Sequence, residues 1–378
     1  MFKTIRSLHQ FNKLPKEQRI FTFFSEGANY YRTFAVILSE FIERKIPFTY
    51  LSMDESDPGL KLASENISTF CLGRGTGFIY FMSMIKADIV VMTTPGLQSL
   101  TLKRSHGVDH YVHIVHSPVG ISSYRKFSFD YFDTIMCSGS HQIKEIRQLE
   151  QVRSSVKKNL LETGCSYMDL LKQRNDDFVD TKGDDSKSTT ILIAPTWGLN
   201  GILGKYGMDL IKPLIDTGYK IIIRPHPQQL YSEKHLLDSL KKTTASFPNV
   251  SWDENPSGHN SMASSDIMIS DMSGVIFDYA FIYEKPVITL DFPLETAGFE
   301  QEDLKEPIWE LGIREELGAV VSGDSLEFLP NKVQKILSDK KSVEKIRDIR
   351  SASLFNYGSV GKTAVDQLIK IESSLKIL

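Results

Sequence analysis

The sequence predicts an α/β protein built from two doubly wound, Rossmann-like domains that face each other across a cleft. Two observations support this prediction. Short apolar runs rich in Val, Ile and Phe alternate with segments of helical periodicity along the chain, and this pattern is typical of parallel sheets buried on both faces. The chain also has 378 residues, which is more than a single hydrophobic core usually organises.

The first half of the chain contains six candidate strands. Segments with helical spacing separate them, residues 30–45 most clearly, and most connections carry Gly, Pro or Ser, as loops between strands and helices do. Residues 1–171 are therefore predicted to form the first domain. The candidate strands are residues 20–24, 48–51, 69–72, 88–92, 111–115 and 134–137.

Residues 172–188 are polar and nearly free of core side chains, so they are predicted to be a linker. Beyond them the alternation restarts, with a clear helical pattern at 231–247, and residues 189–378 are predicted to form the second domain. For its last helix, at 360–377, packing against the first domain is an alternative to packing within the second. The candidate strands here are residues 190–194, 219–223, 266–269 and 286–290.

Composition and charge exclude several classes of function. A net charge of −3 provides no general attraction to nucleic acid. The three cysteines (Cys71, Cys137 and Cys165) lack CxxC spacing, which favours a reducing compartment and disfavours a disulfide framework or a structural zinc site. No Asp-x-Asp follows a predicted strand, so the sequence does not call for a bound divalent metal.

No apolar run approaches the length that spans a bilayer. Residues 1–19, however, interleave basic and apolar side chains. We favour an ordinary solvated first helix that packs on its domain, and the alternative is a basic amphipathic helix on an anionic membrane surface. The basic side chains are Lys3, Arg6, Lys13, Lys16 and Arg19.

Two histidines close apolar strands, one in each half of the chain. His116 follows the run that begins at Tyr111, and His226 follows the run that begins at Ile221. Ligands of open α/β sheets bind at the carboxyl ends of the strands, so both imidazoles are candidate site residues. A histidine near its ordinary pKa of about 6.5 accepts a proton from a hydroxyl at neutral pH. His113 competes for that role, and His116 is preferred because it lies at the strand end.

The second half contains a candidate anion site. Ser273 and Gly274 follow a strand and open an apolar helix, whose first N–H groups and dipole attract a phosphate. Arg224, two residues before His226, is suited to bidentate phosphate binding. Each feature has a structural alternative: a plain capped helix for Ser273, a salt bridge for Arg224, and a satisfied hydrogen bond for His226.

Four blocks in the second half, together, resemble the CDP-glycerol glycerophosphotransferase family, whose best-known members are teichoic acid primases and polymerases. In the first half, Val115-His116-Ser117-Pro118 stands where the family has a His-Gly-Thr-Pro block, and the substitution of Ser for Gly-Thr bears on the acceptor geometry. The four blocks are Ala194-Pro195-Thr196-Trp197, Arg224-Pro225-His226-Pro227, Ser270 to Ala280, and Lys285-Pro286-Val287-Ile288 with Asp291.

The resemblance implies a GT-B-like fold in which the C-terminal domain binds the nucleotide. It also implies a phosphotransferase of the EC 2.7.8 type, in which an acceptor hydroxyl attacks the β-phosphorus of the donor without a metal or another cofactor. Carried over to this chain, His116 becomes the general base and His226 stabilises charge on the diphosphate. Ser273 and Gly274 hold phosphate, as does Arg224 by its chemistry.

Two further residues keep two interpretations each. Asp278 is either a supporting or ribose-side group or a structural carboxylate within its helix. Trp197 is either a wall of the nucleotide site or a core side chain, and packing is favoured for so large an apolar ring.

The leading functional hypothesis is transfer of glycerol phosphate, or a related polyol phosphate, from a CDP-linked donor. The acceptor would be a hydroxyl of a cell-surface glycan, such as a capsule or teichoic acid-like polymer, or of its lipid-linked precursor. The expected location is the cytoplasm, and peripheral contact with the inner face of the cell membrane through residues 1–19 is kept as the alternative. The alternatives are a GT-B glycosyltransferase that uses a nucleotide sugar, and a non-catalytic protein that binds a nucleotide or a glycan.

Overall fold

The computed structural model describes residues 2–100, 102–177, 188–255, 257–271, 273–291 and 296–377. The chain forms two compact units. The first comprises Met1–Leu170, Thr296–Glu306 and Ala352–Leu378, and the second comprises Leu171–Glu295 and Pro307–Ser351. Two segments of the predicted second domain, 296–306 and the C-terminal stretch, therefore belong to the first unit.

The first unit contains a parallel sheet with seven strands in its described residues. The strands are β1 (Phe21–Ser25), β2 (Phe48–Ser52), β3 (Ile67–Cys71), β4 (Ala87–Met92), β5 (Val108–Ile114), β6 (Thr134–Cys137) and β7 (Asn159–Glu162). They stand in the order β3-β2-β1-β4-β5-β6-β7. The chain thus winds outward from β1 in one direction and then from β4 in the other, so the switch point lies between β1 and β4.

Both faces of this sheet are buried, which explains the unbroken apolar runs in the sequence. Along β1, Phe21 and Phe23 pack into the core on one face, and Phe24 packs into the core on the other. The helices that cover the faces, up to the point where the chain enters the second unit, are α1 (Phe2–Asn12), α2 (Lys16–Ile20), α3 (Ala28–Glu43), α4 (Thr76–Met84), α5 (Ser140–Arg153) and α6 (Ser166–Asp176).

Helix α1 packs on its own unit. Leu8 and Phe11 are buried in the core, where the Phe11 ring meets the edges of Phe70 and Phe81. Ile5 remains 44% exposed. Within the part of the chain that the structure describes, no helix combines the length and apolar character needed to cross a membrane.

The second unit contains a parallel sheet of six strands in its described residues. The strands are β8 (Thr190–Ile193), β9 (Lys220–Ile223), β10 (Val250–Trp252), β11 (Ile267–Ser270), β12 (Val287–Leu290) and β13 (Gly318–Val321). Their order is β10-β9-β8-β11-β12-β13. Counted from β8 this is 3-2-1-4-5-6, the order of dinucleotide-binding sheets, with its switch point between β8 and β11.

The helices of the second unit bury the faces of this sheet, and the chain returns to the first unit near the end of α15. They are α7 (Ile202–Tyr206), α8 (Met208–Ile215), α9 (Gln229–Ser232), α10 (Lys234–Thr244), α11 (His259–Ser264), α12 (Val275–Tyr283), α13 (Trp309–Ile313), α14 (Leu329–Ser338) and α15 (Ser342–Ser353). The last helix, α16 (Val360–Leu375), packs beside α3 in the first unit, where Val365 and Leu368 join the core.

These two doubly wound parallel sheets confirm the predicted fold class. All ten predicted strands are present, and three further strands, β7, β10 and β13, lie at sheet edges. Of the predicted linker, residues 178–187 lie outside the described residues, and residues 172–176 form the last turns of α6.

Candidate functional site

The switch point of the second sheet carries two of the sequence blocks. The loop after β8 begins with Ala194, and the loop after β11 begins with Asp271. Because β8 and β11 are neighbours and their following helices leave in opposite directions, their carboxyl ends open a crevice. The third block, Arg224 to Pro227, follows β9 at the same edge of the sheet.

Asp271 ties the two loops at the switch point together. Its buried carboxylate accepts hydrogen bonds from the N–H of Thr196 at 2.9 and 3.1 Å and from the N–H of Ile202 at 3.2 Å. The Ser270 hydroxyl adds a hydrogen bond to the carbonyl of Ala194 at 2.5 Å. Burial raises the pKa of Asp271. The carboxylate is thus used to shape the loops.

The loop after β11 leaves space in front of α12. Gly274 has φ −56° and ψ −22°, and a Cβ at this position would meet no described atom within 4 Å. Within the described residues, the N–H groups of Gly274 and Val275 donate no hydrogen bond to the protein. Helix α12 spans nine residues, so its first turn supplies N–H donors and a positive dipole end for an anion.

Asp278 lies in the first turn of α12 and is half-buried. Its negative charge acts on Tyr283 at the end of the same helix: burial, and secondly the charge of Asp278, raise the pKa of that phenol.

Arg224 makes the structural salt bridge that the sequence left open as an alternative. One Nη donates to Asp253 at 2.7 Å and the other to the carbonyl of Asn255 at 2.8 Å. Burial alone would raise the pKa of Asp253, but hydrogen bonds from Ser261 and Asn255, with the charge of Arg224, lower it. Arg224 is therefore fixed by a carboxylate, and a phosphate at this edge would meet a guanidinium that is already partly neutralised.

His226 is half-buried and is presented by a tight turn. Its Nδ1 accepts a hydrogen bond from the N–H of Gln228 at 3.1 Å, so the neutral ring carries its proton on Nε2. Burial lowers the pKa of His226, against a smaller opposing effect from Glu233. The ring is accordingly a neutral donor through Nε2–H, as stabilisation of an anion requires.

Glu233 and Gln229 connect the loops after β8 and β9, and sequence reasoning did not identify either. Both are buried. Glu233 accepts from the N–H of Gly198 at 2.6 Å and from Gln229 at 2.8 Å, and Gln229 also accepts from the N–H of His226 at 3.3 Å. No local pattern marks Glu233 as a link between the loops, because its partner Gly198 lies in a different loop.

Trp197 is not a core side chain. It is 52% exposed at the carboxyl end of β8, so the packing alternative that the sequence analysis favoured for it is wrong. The exposed ring stands in the loop that Glu233 and Asp271 hold.

Lys285, in the fourth sequence block, binds the protein itself. Its ammonium donates to the carbonyls of Met262, Ala263 and Ser265 at 3.3, 2.5 and 2.5 Å. These carbonyls lie at the end of α11, where a cation balances the negative end of the helix. Lys285 thus fixes α11 against the strand β12.

In the first unit, His116 lies two residues beyond β5 and is half-buried. Its Nδ1 is 3.1 Å from the hydroxyl of Tyr124, and the edge of Tyr30 faces its ring at 6.0 Å between centroids. Burial, with a smaller effect of the Arg32 charge, lowers the pKa of His116 to about 4. The ring is therefore neutral at physiological pH and has the charge state of a proton acceptor.

The turn after His116 is held by side chains of the next strand and helix. The carbonyl of Ser117 accepts from Ser138 at 3.0 Å and from Gln142 at 3.1 Å, and the carbonyl of Val119 accepts from Gln142 at 2.7 Å. His141 donates through Nε2 to the carbonyl of Pro118 at 2.9 Å. This turn is rigid, and it fixes the backbone that carries His116.

His113 has surroundings that disqualify it as a competing base. It is fully buried, with its ring centroid 5.1 Å from that of Phe129 and 4.9 Å from that of Phe132. Among the described residues, neither of its ring nitrogens has a hydrogen-bond partner. Burial lowers the pKa of His113 to about 3. Of the two histidines, His116 has the accessible position.

Because of three buried or partly buried histidines, we expect the free energy of unfolding to decrease in mild acid. Burial lowers the pKa values of His113, His116 and His141 to about 3, 4 and 4, whereas the unfolded chain titrates near 6.5. Their contribution is complete above pH 6.5 and is lost as the pH falls from 6.5 towards 4, by up to about 1.4 kcal/mol per histidine and pH unit. The unfolding temperature should therefore be lower at pH 5 than at pH 7.5.

Variants separate this effect from general acid sensitivity. His113→Phe removes one titrating group among phenyl rings, so the decrease in unfolding temperature should become smaller. His235→Gln changes an exposed histidine and should leave the decrease unchanged. An unfolding temperature that is equal at pH 7.5 and 5 would contradict the prediction.

Residues 121–302 match the model of the CDP-glycerol:poly(glycerophosphate) glycerophosphotransferase family. The matched region includes the proposed donor residues and begins five residues after His116. Among curated protein sequences, none matches the chain. Among the described residues, no group of three or more His, Cys, Asp or Glu side chains is arranged to hold a metal ion.

Solved structures with the same fold extend over nearly the whole chain. A Listeria monocytogenes protein assigned as a UDP-N-acetylglucosamine 2-epimerase is similar with a TM-score of 0.63 and 12% identity, covering 96% of this chain and 98% of its own. UDP-GlcNAc 2-epimerase from Neisseria meningitidis has a TM-score of 0.59 and 13% identity (93% and 99% covered). A glycosyltransferase from Rickettsia africae has a TM-score of 0.54 and 12% identity (94% and 98% covered).

At these identities the solved structures identify the fold, which is of the GT-B type, with two Rossmann-like domains. The sequence blocks, and the family model that matches across them, support the resemblance to that family. Over residues 121–302 the chain thus resembles the CDP-glycerol:poly(glycerophosphate) glycerophosphotransferase family.

Proposed function

We propose that this transferase moves glycerol phosphate, or a related polyol phosphate, from a CDP-linked donor to a hydroxyl of a cell-surface glycan or its lipid-linked precursor. The observation that carries the proposal is the arrangement at the carboxyl edge of the second sheet. Three family blocks meet there, Asp271 holds the loops after β8 and β11 together, and Glu233 links the loops after β8 and β9.

On the donor side, the diphosphate would bind at the first turn of α12, where Gly274 leaves open space and backbone N–H groups are available. Ser273 adds a hydroxyl. His226 would donate its Nε2–H to the α-phosphate as the bond between the β-phosphorus and the bridging oxygen breaks and CMP leaves with that oxygen. Trp197 would flank the nucleotide, and Asp278 would support the site from within α12.

On the acceptor side, His116 would take the proton of the attacking hydroxyl. The new bond forms between that oxygen and the β-phosphorus, and the proton passes from the resulting imidazolium to solvent. Such transfers need positioning and charge stabilisation more than covalent chemistry. The N–H groups of α12 and His226 would supply the charge stabilisation, so we expect transfer to proceed without a divalent metal.

The proposal is tested by product analysis. The protein is incubated in the presence of EDTA with one of four donors (CDP-glycerol, CDP-ribitol, UDP-glucose or UDP-GlcNAc) and with a glycan or lipid-linked acceptor. The masses of the products are then determined by mass spectrometry. Addition of a polyol phosphate with release of CMP is the expected result. Addition of a hexose without phosphate would instead establish a nucleotide-sugar glycosyltransferase, and CDP binding without turnover of any donor would indicate a binding protein.

We also propose a cytoplasmic location with peripheral contact at the inner face of the cell membrane. No disulfide joins the described cysteines, which suits a reducing compartment. Contact through α1 would rest on Ile5 and the basic side chains, because Leu8 and Phe11 are committed to the core. At low salt, a smaller fraction of Ile5→Glu than of the wild-type protein should sediment with anionic phosphatidylglycerol vesicles. Equal fractions for the two proteins would contradict contact through α1.

A further inference from the structure

The hydroxyl of Tyr124 lies within hydrogen-bond distance of the His116 ring and is a candidate for orienting it. Its oxygen is 3.1 Å from Nδ1 of the imidazole. Tyr124 is partly buried, and burial raises its pKa, so the phenol stays neutral at any physiological pH. Its ring packs with an edge on Phe129 at 4.9 Å between centroids. The hydroxyl is thus held at one place beside the imidazole.

The backbone of Tyr124 is held by the segment 296–306, which belongs to the first unit although it lies between two parts of the second unit in sequence. The N–H of Glu300 donates to the carbonyl of Tyr124 at 2.7 Å, and the N–H of Gln301 donates to the carbonyl of Ser122 at 3.1 Å. The Glu300 carboxylate accepts from the N–H of Ser128 at 2.9 Å. The loop that carries Tyr124, residues 122–128, is therefore bound to this segment at both of its ends.

Buried charges lock the segment in place. Glu300 is fully buried and pairs with Arg153, which also binds Asp130 and Asp303 at 2.8 Å. Lys126 pairs with Asp303 at 2.9 Å. Removal of one partner from such a buried pair is strongly destabilising. The loop is consequently rigid, and Tyr124 has little freedom to leave His116.

We propose that Tyr124 is a positioning residue for His116: it accepts the Nδ1–H of the imidazole and thereby leaves the Nε2 lone pair to receive the proton of the acceptor hydroxyl. The nitrogen that carries the proton is set by the partner of the other nitrogen. Without a partner at Nδ1 the ring would be free to rotate and to change tautomer. The inference rests on the proposed base role of His116.

The test combines a spectroscopic measurement with kinetics on the full chain. Nitrogen-15 spectra of the histidine-labelled protein, with His116 assigned by His116→Gln, should show the wild-type proton on Nδ1 at neutral pH. Tyr124→Phe keeps the ring and its packing, and it should shift the proton towards Nε2. It should also lower kcat by about 10- to 100-fold with the donor KM unchanged, the range seen when outer partners of metal-bound histidines are removed.

Tyr131→Phe removes a hydroxyl from a neighbouring, 48% exposed position and should change neither measurement. A wild-type proton on Nε2 would overturn the inference without any variant, whether or not Tyr124→Phe folds. An unchanged tautomer and kcat in a folded Tyr124→Phe would also overturn it. If the wild-type protein transfers no polyol phosphate, the proposed function fails, and the spectra alone still decide whether Tyr124 sets the tautomer.

Discussion

Replacement of His116 with alanine is expected to lower turnover of a CDP-polyol donor by at least about 100-fold, the loss of a general base. The affinity for CDP should stay nearly unchanged, because the blocks proposed to bind the nucleotide belong to the second unit and His116 belongs to the first. Product mass spectrometry gives the turnover, and isothermal titration with CDP gives the affinity.

The structure offers variants that isolate this effect. His116→Asn keeps a polar group that can bond to Tyr124, so it should fold as the wild type does and remain as inactive as His116→Ala. His106→Ala removes an exposed histidine from the same unit and should retain turnover. Wild-type turnover in His116→Ala would refute the base assignment, and a parallel loss of CDP affinity would show that the histidine acts on the donor.

The strands that the sequence analysis missed show what apolar periodicity detects. β7, β10 and β13 are four, three and four residues long and stand at sheet edges, where most of their residues are only partly buried or exposed. A central strand needs apolar side chains on both faces and so leaves an unbroken run in the sequence. An edge strand is covered on fewer sides, and hydrogen bonding to its neighbour can define it without such a run.

The segment 296–306 was not predictable for a different reason. Nothing in its acidic sequence indicates burial, yet Glu300 is fully buried, where Arg153, far away in the chain, neutralises it. Long-range ion pairs of this kind have no local signal. The same reason applies to Tyr124, whose relation to His116 depends on where the loop is anchored and not on the spacing of the two residues.

The positions of the candidate residues were predictable where they lie at a strand end or a helix start. The hydrogen-bond or ion-pair partner of a side chain was less predictable. His116, His226 and Gly274 follow from strand ends and a helix start. Arg224 illustrates the converse, since its guanidinium binds Asp253 from the next strand. The sequence identifies a cation at a sheet edge, but the anion that it meets is decided by the fold.

The second large effect is expected from Gly274→Ala. The backbone at this position is ordinary for any L-residue, and the added methyl group meets no described atom within 4 Å. The substitution should therefore leave the free energy of unfolding unchanged or raise it by up to about 1 kcal/mol, because alanine restricts the unfolded chain. The methyl group would nevertheless occupy the space proposed for the diphosphate, so CDP affinity should fall at least about tenfold, a change of about 1.4 kcal/mol.

Gly312→Ala is the matched control. Gly312 is also exposed and helical, and its added Cβ likewise meets no described atom within 4 Å, but it lies outside the loops that follow β8, β9 and β11. It should keep wild-type CDP affinity in isothermal titration, and its free energy of unfolding in denaturant should likewise be unchanged or raised by up to about 1 kcal/mol. Because both variants add the same group without a clash, a loss of affinity confined to Gly274→Ala can only come from the ligand. Equal affinity in the two variants would mean that the diphosphate does not approach the first turn of α12.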